Sequence, residues 1–168
     1  MDTYAKAFEF FWKLYNSNVE FKCLIDANMK NGKIRFFDDN EFDRIKKQNF
    51  ISPIPQMKEF IDMFLLGFNI GNCAGAARQL SFSYDDVDIV SGILPILKGT
   101  LNAEKEGGHV WLENKNYIID TSLMLVIDLS LKTTLGYEEE QRVTSFQLAS
   151  SPNYMSRKEF VNDSSLRK

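Results

Sequence analysis

Histidine and cysteine are scarce in this chain of 168 residues, which has one histidine and two cysteines. One imidazole and two thiols far apart in sequence, Cys23 and Cys73, cannot supply the four ligands of a structural zinc site, so we expect no metal. Two cysteines without a secretory signal favour reduced thiols over a disulfide framework. The sequence also lacks a nucleotide or coenzyme A signature, and we expect no cofactor.

Long apolar runs and an excess of basic residues are also missing. No segment reaches the roughly 18 consecutive apolar residues that a membrane-spanning helix needs. The stretch MDTYAKAFEFFWKLY carries charged side chains at helical spacing, unlike the apolar core of a signal peptide. The net charge of −3 argues against the basic surface of a nucleic-acid-binding protein. We therefore expect a cytoplasmic protein that binds neither membranes nor nucleic acid, while export by a route without a cleavable signal stays open.

Core-forming side chains, by contrast, are abundant. Hydrophobic residues make up 44% and aromatic residues 13% of the sequence, which is typical of a globular protein. A chain of this length can bury a hydrophobic core without disulfides or metal. We expect one domain over residues 1–168.

The apolar pattern predicts helices first and strands afterwards. Helices are predicted in TYAKAFEFFWKLYN, from about Gln56 to Leu66, in the charged stretch DDNEFDRIKKQ, and in CAGAARQLSF, whose small residues let another backbone come close. One or two strands are predicted in DDVDIVSGILPILKGTL, and further strands in GHVWLE, NYIIDTS, LMLVIDLSL and RVTSFQLAS, whereas GYEEEQR is typical of a solvated loop or the start of a helix. This order predicts an α+β fold with helices packed on an antiparallel sheet.

The single histidine lies in a predicted hairpin formed by GHVWLE and NYIIDTS. A tight turn at Asn114-Lys115 would set His109 directly opposite Asp120, and directly opposed residues point to the same face. A three-residue turn is the sterically possible alternative. The tight turn predicts one face with His109, Trp111, Ile118 and Asp120, and a mostly apolar face with Val110, Leu112, Tyr117 and Ile119.

Cys73 directly follows Gly-Asn at the predicted start of a helix. The positive end of a helix and a nearby imidazolium both favour the nucleophilic thiolate, and the Cys73 N–H could form one side of an oxyanion hole. In that hypothesis Cys73 attacks a carbonyl, His109 takes the thiol proton and later protonates the leaving group, and Asp120 orients the ring. Taken alone, each residue has an ordinary structural interpretation: a buried thiol, a structural or solvent-facing histidine, and a turn or cap aspartate.

The stretches GNCAGAARQL, GGHVWLE and NYIIDTS together resemble the transglutaminase-like branch of the papain-like cysteine enzymes. In that family a cysteine-bearing helix is followed by a His-x-Trp strand and a strand ending in Asp-Thr or Asp-Pro. The resemblance covers roughly residues 56–125, the expected catalytic core. It implies a papain-like core in which the cysteine-bearing central helix packs on an antiparallel sheet, with Cys73, His109 and Asp120 acting on amide or thioester carbonyls.

Other residues near these motifs have open roles. Many members of the family bind the oxyanion with a Trp or Gln upstream of the cysteine, and the candidates here are Gln56, Asn69 and Asn72. Trp111 could shield the His–Asp pair from water, wall a substrate channel, or simply pack. Gly107-Gly108 could form a turn or allow a close approach beside the histidine. Cys23 has no basic neighbours in sequence and is interpreted as a structural thiol.

Three functions are compatible with these motifs. The first is a cysteine hydrolase (a peptidase, amidase or deamidase) acting on a peptide bond or glutamine side chain of a peptide or protein substrate. The second is an acyltransferase with the same triad, of the transglutaminase or N-acetyltransferase type. The lack of a coenzyme A signature favours hydrolysis, and crosslinking enzymes usually carry further domains. The third is a non-catalytic binding module, which would be expected to have lost a triad residue.

Overall fold

The computed structural model describes residues 5–51, 73–81, 83–98 and 107–145. The helices in these stretches are α1 (Glu9–Ser17), α2 (Val19–Lys30), α3 (Asp39–Ile51), α4 (Cys73–Ser81) and α5 (Lys132–Leu135). The strands are β1 (Ile34–Phe36), β2 (Asp88–Ile93), β3 (Gly108–Glu113), β4 (Tyr117–Asp120), β5 (Leu125–Asp128) and β6 (Glu138–Val143). The helix predicted from about Gln56 to Leu66 lies outside the described residues.

The six strands form one sheet in the order β1-β5-β4-β3-β2-β6, and every neighbouring pair is antiparallel. The α+β class with an antiparallel sheet is therefore confirmed. Along the chain the order departs from helices first and strands afterwards, because β1 lies between α2 and α3. No helix within the described stretches is both long and apolar enough to cross a membrane.

The prediction for GYEEEQR was wrong, since most of it forms strand β6. This strand lies at the sheet edge, and all its side chains are at least partly exposed. Its backbone pairs with β2 while most of its charged side chains stay exposed, so the sequence carries no apolar alternation there. The neighbouring strand prediction, RVTSFQLAS, overlaps β6 only in its first two residues, and 146–150 lie outside the described residues.

Alternate side chains of the central strands fill two cores on opposite faces of the sheet. On one face, Ala76, Ala77 and Leu80 of α4 pack with Leu112, Ile119 and Val126. On the other face, Phe11, Phe21 and Ile25 of α1 and α2 pack with Trp111, Ile118 and Ile127. The three α4 residues are 0% exposed, so the small side chains do bring this helix tightly against the sheet.

The β3–β4 hairpin has a different turn from the predicted one. Asn114 donates its backbone N–H to the carbonyl of Tyr117 at 3.0 Å, so the turn is Lys115-Asn116. The reason is the Asn114 side chain, whose oxygen accepts from the N–H groups of Asn116 and Tyr117 at 2.8 Å each and closes the turn one residue later.

This turn moves the register by two residues. Leu112 pairs with Ile119. If this register continues to the next residue of each strand, Asp120 lies opposite Trp111 rather than opposite His109. Because side chains alternate with a period of two, a two-residue shift leaves each side chain on its predicted face. His109 and Asp120 therefore share a face as diagonal neighbours instead of direct ones.

Candidate active site

Asp120, the last residue of strand β4, is fully buried, and both oxygens of its carboxylate accept hydrogen bonds. Its Oδ1 accepts from the backbone N–H groups of Ser122 and Leu123, both at 2.9 Å, in the turn that leads to β5. Its Oδ2 accepts from the His109 ring at 2.8 Å and from the Tyr137 hydroxyl at 2.6 Å. Four donors around one carboxylate satisfy a group that would otherwise be costly to bury.

Burial alone would raise the pKa of Asp120. The nearby charge of His109 and the hydrogen bonds to the carboxylate lower it by more, so the pKa lies below the ordinary value of 3.8. Asp120 is consequently an anion inside the protein. An anionic carboxylate only accepts hydrogen bonds, so Nε2 of His109 carries the shared hydrogen.

His109 is the second residue of β3, and its side chain has no exposed surface. Burial by itself lowers the pKa of this imidazole, but the charge and hydrogen bond of Asp120, followed by the hydrogen bond and charge of Cys73, raise it to about 10. The ring is therefore protonated at neutral pH. Because Nε2 is engaged by Asp120, the contact with the thiol is made through Nδ1.

Cys73 is the first residue of α4, and it is 3% exposed. The thiol hydrogen-bonds to the His109 ring, so the structure brings Cys73, His109 and Asp120 together. Backbone N–H groups in the first turn of a helix have no carbonyl partner within the helix, which gives this end a partial positive charge. The predicted oxyanion candidates Gln56, Asn69 and Asn72 lie outside the described residues.

Trp111 lies beside the histidine with no exposed surface. Its ring is stacked on His109 with centroids 5.9 Å apart and planes 30° apart, and its Nε1 donates to Glu113 at 2.8 Å. A side chain without exposed surface cannot wall a channel that is open to solvent. The shielding and packing interpretations of Trp111 are compatible with this position.

Sequence reasoning missed a second polar group on the same face, centred on Glu113. This carboxylate is 2% exposed, accepts from the Trp111 indole, and pairs with Lys132 at 2.7 Å and Arg142 at 2.8 Å. Alternation along β3 was a usable signal, because residues 109, 111 and 113 point the same way. Tyr137 offered no such signal, since the surrounding GYEEEQR was interpreted as solvated.

The two glycines before the histidine differ in their constraints. Gly107 has a φ of +78°, and a Cβ there would lie 2.7 Å from the carbonyl oxygen of Leu94. This position therefore needs both the left-handed backbone of a turn and a close approach of another segment. At Gly108 a Cβ would meet nothing within 4 Å.

Cys23 is exposed on α2, in contrast to the buried Cys73. The interpretation of Cys23 as a structural rather than a catalytic thiol stays a prediction. The different exposure of the two thiols matters for any labelling experiment, because access as well as ionisation sets the rate.

Comparisons with protein-family models, with curated proteins and with solved structures find no match for this chain. The resemblance to transglutaminase-like enzymes thus depends on the sequence motifs alone.

Proposed function

We propose that this protein is a cysteine-dependent hydrolase that cleaves an amide, either a peptide bond or a glutamine side chain, on a papain-like core of the transglutaminase-like type. One observation carries the proposal: the thiol of Cys73 at the start of α4 meets the ring of His109, whose Nε2 is held at 2.8 Å by the buried carboxylate of Asp120. A nucleophile, a base and a group that orients the base are the parts that amide cleavage through a thioester requires.

The reaction begins from the pair in which His109 already holds the thiol proton of Cys73 and the sulfur is the thiolate. The thiolate then attacks the amide carbonyl carbon, and the negative charge moves to the carbonyl oxygen, where the Cys73 N–H at the helix start can stabilise it. As the C–N bond breaks, His109 returns the proton to the departing amine or ammonia, which leaves a thioester on Cys73. Water, deprotonated by His109, attacks the thioester and releases a carboxylic acid and the thiol.

Asp120 supports each proton transfer without giving up its own charge. Its anionic Oδ2 stabilises the imidazolium and fixes which nitrogen faces the thiol. The fold supports the same assignment, since α4 contacts strand β3, which carries the histidine, and the neighbouring strand β4 carries the aspartate. The apolar side of α4 packs on the opposite face of the sheet, so the helix meets His109 only through its first residue, Cys73. A helix-borne cysteine beside these two strands is the layout that the resemblance implies for a papain-like core.

The proposed partner is a peptide or protein that presents the amide. We also propose a reducing compartment, the cytoplasm, as the place of action. Cys23 and Cys73, both within the described part of the chain, form no disulfide, and a catalytic thiol has to stay reduced.

The test uses a Cys23→Ser chain, in which Cys73 is the sole thiol. We expect iodoacetamide to alkylate Cys73 at neutral pH, and His109→Gln to lower that rate about tenfold or more, because the thiolate loses its imidazolium partner. Circular dichroism of both chains checks that the fold is kept. Equal rates with and without the histidine would contradict the proposal.

Turnover is measured with an activated acyl ester and with glutamine-containing peptides, following acid or ammonia release. Cys23→Ser should keep the activity, whereas its matched partner Cys73→Ser should lose it by on the order of a thousandfold. Turnover that persists in Cys73→Ser would refute the thiol mechanism. Turnover that depends on an added primary amine would replace hydrolysis by acyl transfer, and slow alkylation without turnover would favour a binding module.

A further inference from the structure

The Tyr137 hydroxyl donates to Oδ2 of Asp120, the same oxygen that binds His109. We infer that Tyr137 is a positioning residue, which holds Asp120 and, through it, the His109 ring in the orientation that the thiol needs. This inference rests on the proposed function, and it adds a fourth residue from a part of the chain that the sequence motifs do not include.

The two oxygens of Asp120 are fixed from different directions. The Ser122 and Leu123 N–H groups hold Oδ1 through the local turn. Without Tyr137, Oδ2 would be directed by His109 alone, and the two groups could rotate together. The hydroxyl at 2.6 Å supplies the independent contact that fixes Oδ2 and hence the plane of the carboxylate.

Tyr137 is itself held firmly. Its ring packs edge-on against Trp111 with centroids 4.9 Å apart, and its backbone N–H donates to the carbonyl of Lys132 at 3.0 Å. Gly136, with a φ of +90°, ends α5 and turns the chain so that the tyrosine enters the core at 4% exposure. The turn at the end of α5 therefore places the Tyr137 hydroxyl against Asp120, although Tyr137 does not belong to the β3–β4 hairpin.

The electrostatic surroundings keep Tyr137 a donor. Burial first, then the charge and hydrogen bond of Asp120, then the charge of Glu113, raise the pKa of Tyr137 well above 10. The Glu113 charge is in turn balanced by Lys132 and Arg142. Since the phenol stays protonated over the working range of an enzyme, it draws part of the electron density of Oδ2 and weakens Asp120 as an acceptor for His109.

Tyr137→Phe isolates this effect, because it keeps the ring against Trp111 and removes one oxygen. Oδ2 then accepts from His109 alone, so the His109–Asp120 hydrogen bond strengthens and the imidazole holds its proton more tightly. The matched control is Tyr15→Phe. Its hydroxyl also donates to an aspartate, Asp26, but in an exposed pair on α1 and α2 that has no part in the site.

The first readout is nuclear magnetic resonance of the imidazole at fixed pH and during a pH titration. The chain has one histidine, so the ring signals need no assignment. In Tyr137→Phe we expect the Nε2 proton to move downfield and the titration midpoint of the ring to rise by roughly half to one pH unit. Tyr15→Phe should leave both unchanged. Equal spectra for Tyr137→Phe and the parent chain would overturn the inference.

A second measurement tests the inference without Tyr137→Phe, in case that chain does not fold. Fluorotyrosine incorporated into the otherwise unaltered chain makes the phenol a stronger donor, so the Nε2 proton of His109 should move upfield. No movement would overturn the inference.

The last readout is the pH profile of kcat/KM with the activated acyl ester. In Tyr137→Phe, kcat/KM should start to fall at a higher pH (the alkaline limit of the profile), and kcat should be lower. The reason is that an imidazole that binds its proton more tightly gives it less readily to the leaving group. A role in folding alone would leave the alkaline limit in place, and that result would overturn the inference. If neither the parent chain nor its variants turn over the ester, but the resonance shifts are observed, Tyr137 positions the His109–Asp120 pair and the proposed function is wrong.

Discussion

The buried His109–Asp120 pair makes the stability of this protein depend on pH in a defined interval. In the folded chain the imidazole keeps its proton up to a pKa of about 10, whereas the ordinary value of an unfolded chain is 6.5. Between these values the folded state binds one proton more than the unfolded state. Raising the pH through this interval therefore favours unfolding.

The size of the effect follows from that single proton. A difference of one bound proton changes the free energy of unfolding by about 1.4 kcal/mol per pH unit. The contribution of His109 is fully present below pH 6.5 and is lost as the pH rises towards 10. The pair has no exposed side-chain surface, so screening by salt will not remove this dependence.

The measurement is urea unfolding at several pH values between 6.5 and 9.5, followed by the fluorescence of the two tryptophans, of which Trp111 is buried. Both chains carry Cys23→Ser and keep Cys73, because its hydrogen bond and charge help to raise the pKa of His109. One keeps the histidine and the other has His109→Gln, whose amide can still donate to Asp120. The free energy of unfolding should fall with pH more steeply in the first chain, by up to about 1.4 kcal/mol per unit. Parallel curves would show that the ring is neutral in the fold, and the charge assignment would be refuted.

Two further predictions concern the sheet around the pair. Glu113→Gln removes the charge that Lys132 and Arg142 share inside the protein, and we expect a loss of about 1–3 kcal/mol in urea unfolding, against less than about 0.5 kcal/mol for the exposed Glu140→Gln. Gly92→Ala places a Cβ 1.9 Å from the carbonyl oxygen of Glu138, so β6 must move, and we expect a loss of about 1–3 kcal/mol by thermal unfolding. Gly108→Ala, with open space around the Cβ, is the control, and an equal loss there would contradict the steric argument.

The face on which the candidate residues lie could be predicted from the sequence, whereas their pairing could not. Apolar alternation in GHVWLE and NYIIDTS determines which side chains share a face, because a one-residue slip would mix the two faces. A two-residue shift has no such penalty, so alternation cannot detect it. What sets the shift is the side chain of Asn114, which caps the turn locally.

The residues around the pair were harder to predict for a related reason. Glu113 and Tyr137 are buried polar groups, and their burial depends on partners that come from distant segments, Arg142 for one and Asp120 for the other. Periodicity reports burial only when the buried residue is apolar. A charged edge strand such as β6 therefore looks like a loop, although it carries Arg142 to the buried carboxylate.

The thiol is the part of this arrangement that folding alone does not explain. A buried His–Asp pair can be a structural element, and its remaining ring nitrogen is then best satisfied by a carbonyl or a hydroxyl, since a neutral thiol is a weak hydrogen-bond partner. Here that nitrogen meets Cys73 at the first residue of a helix. The contact becomes strong only when the sulfur is ionised, because a thiolate next to an imidazolium and a helix start forms a charge-assisted interaction. An ionised sulfur is also a nucleophile, so the physical reason for this contact and the proposed chemistry are the same.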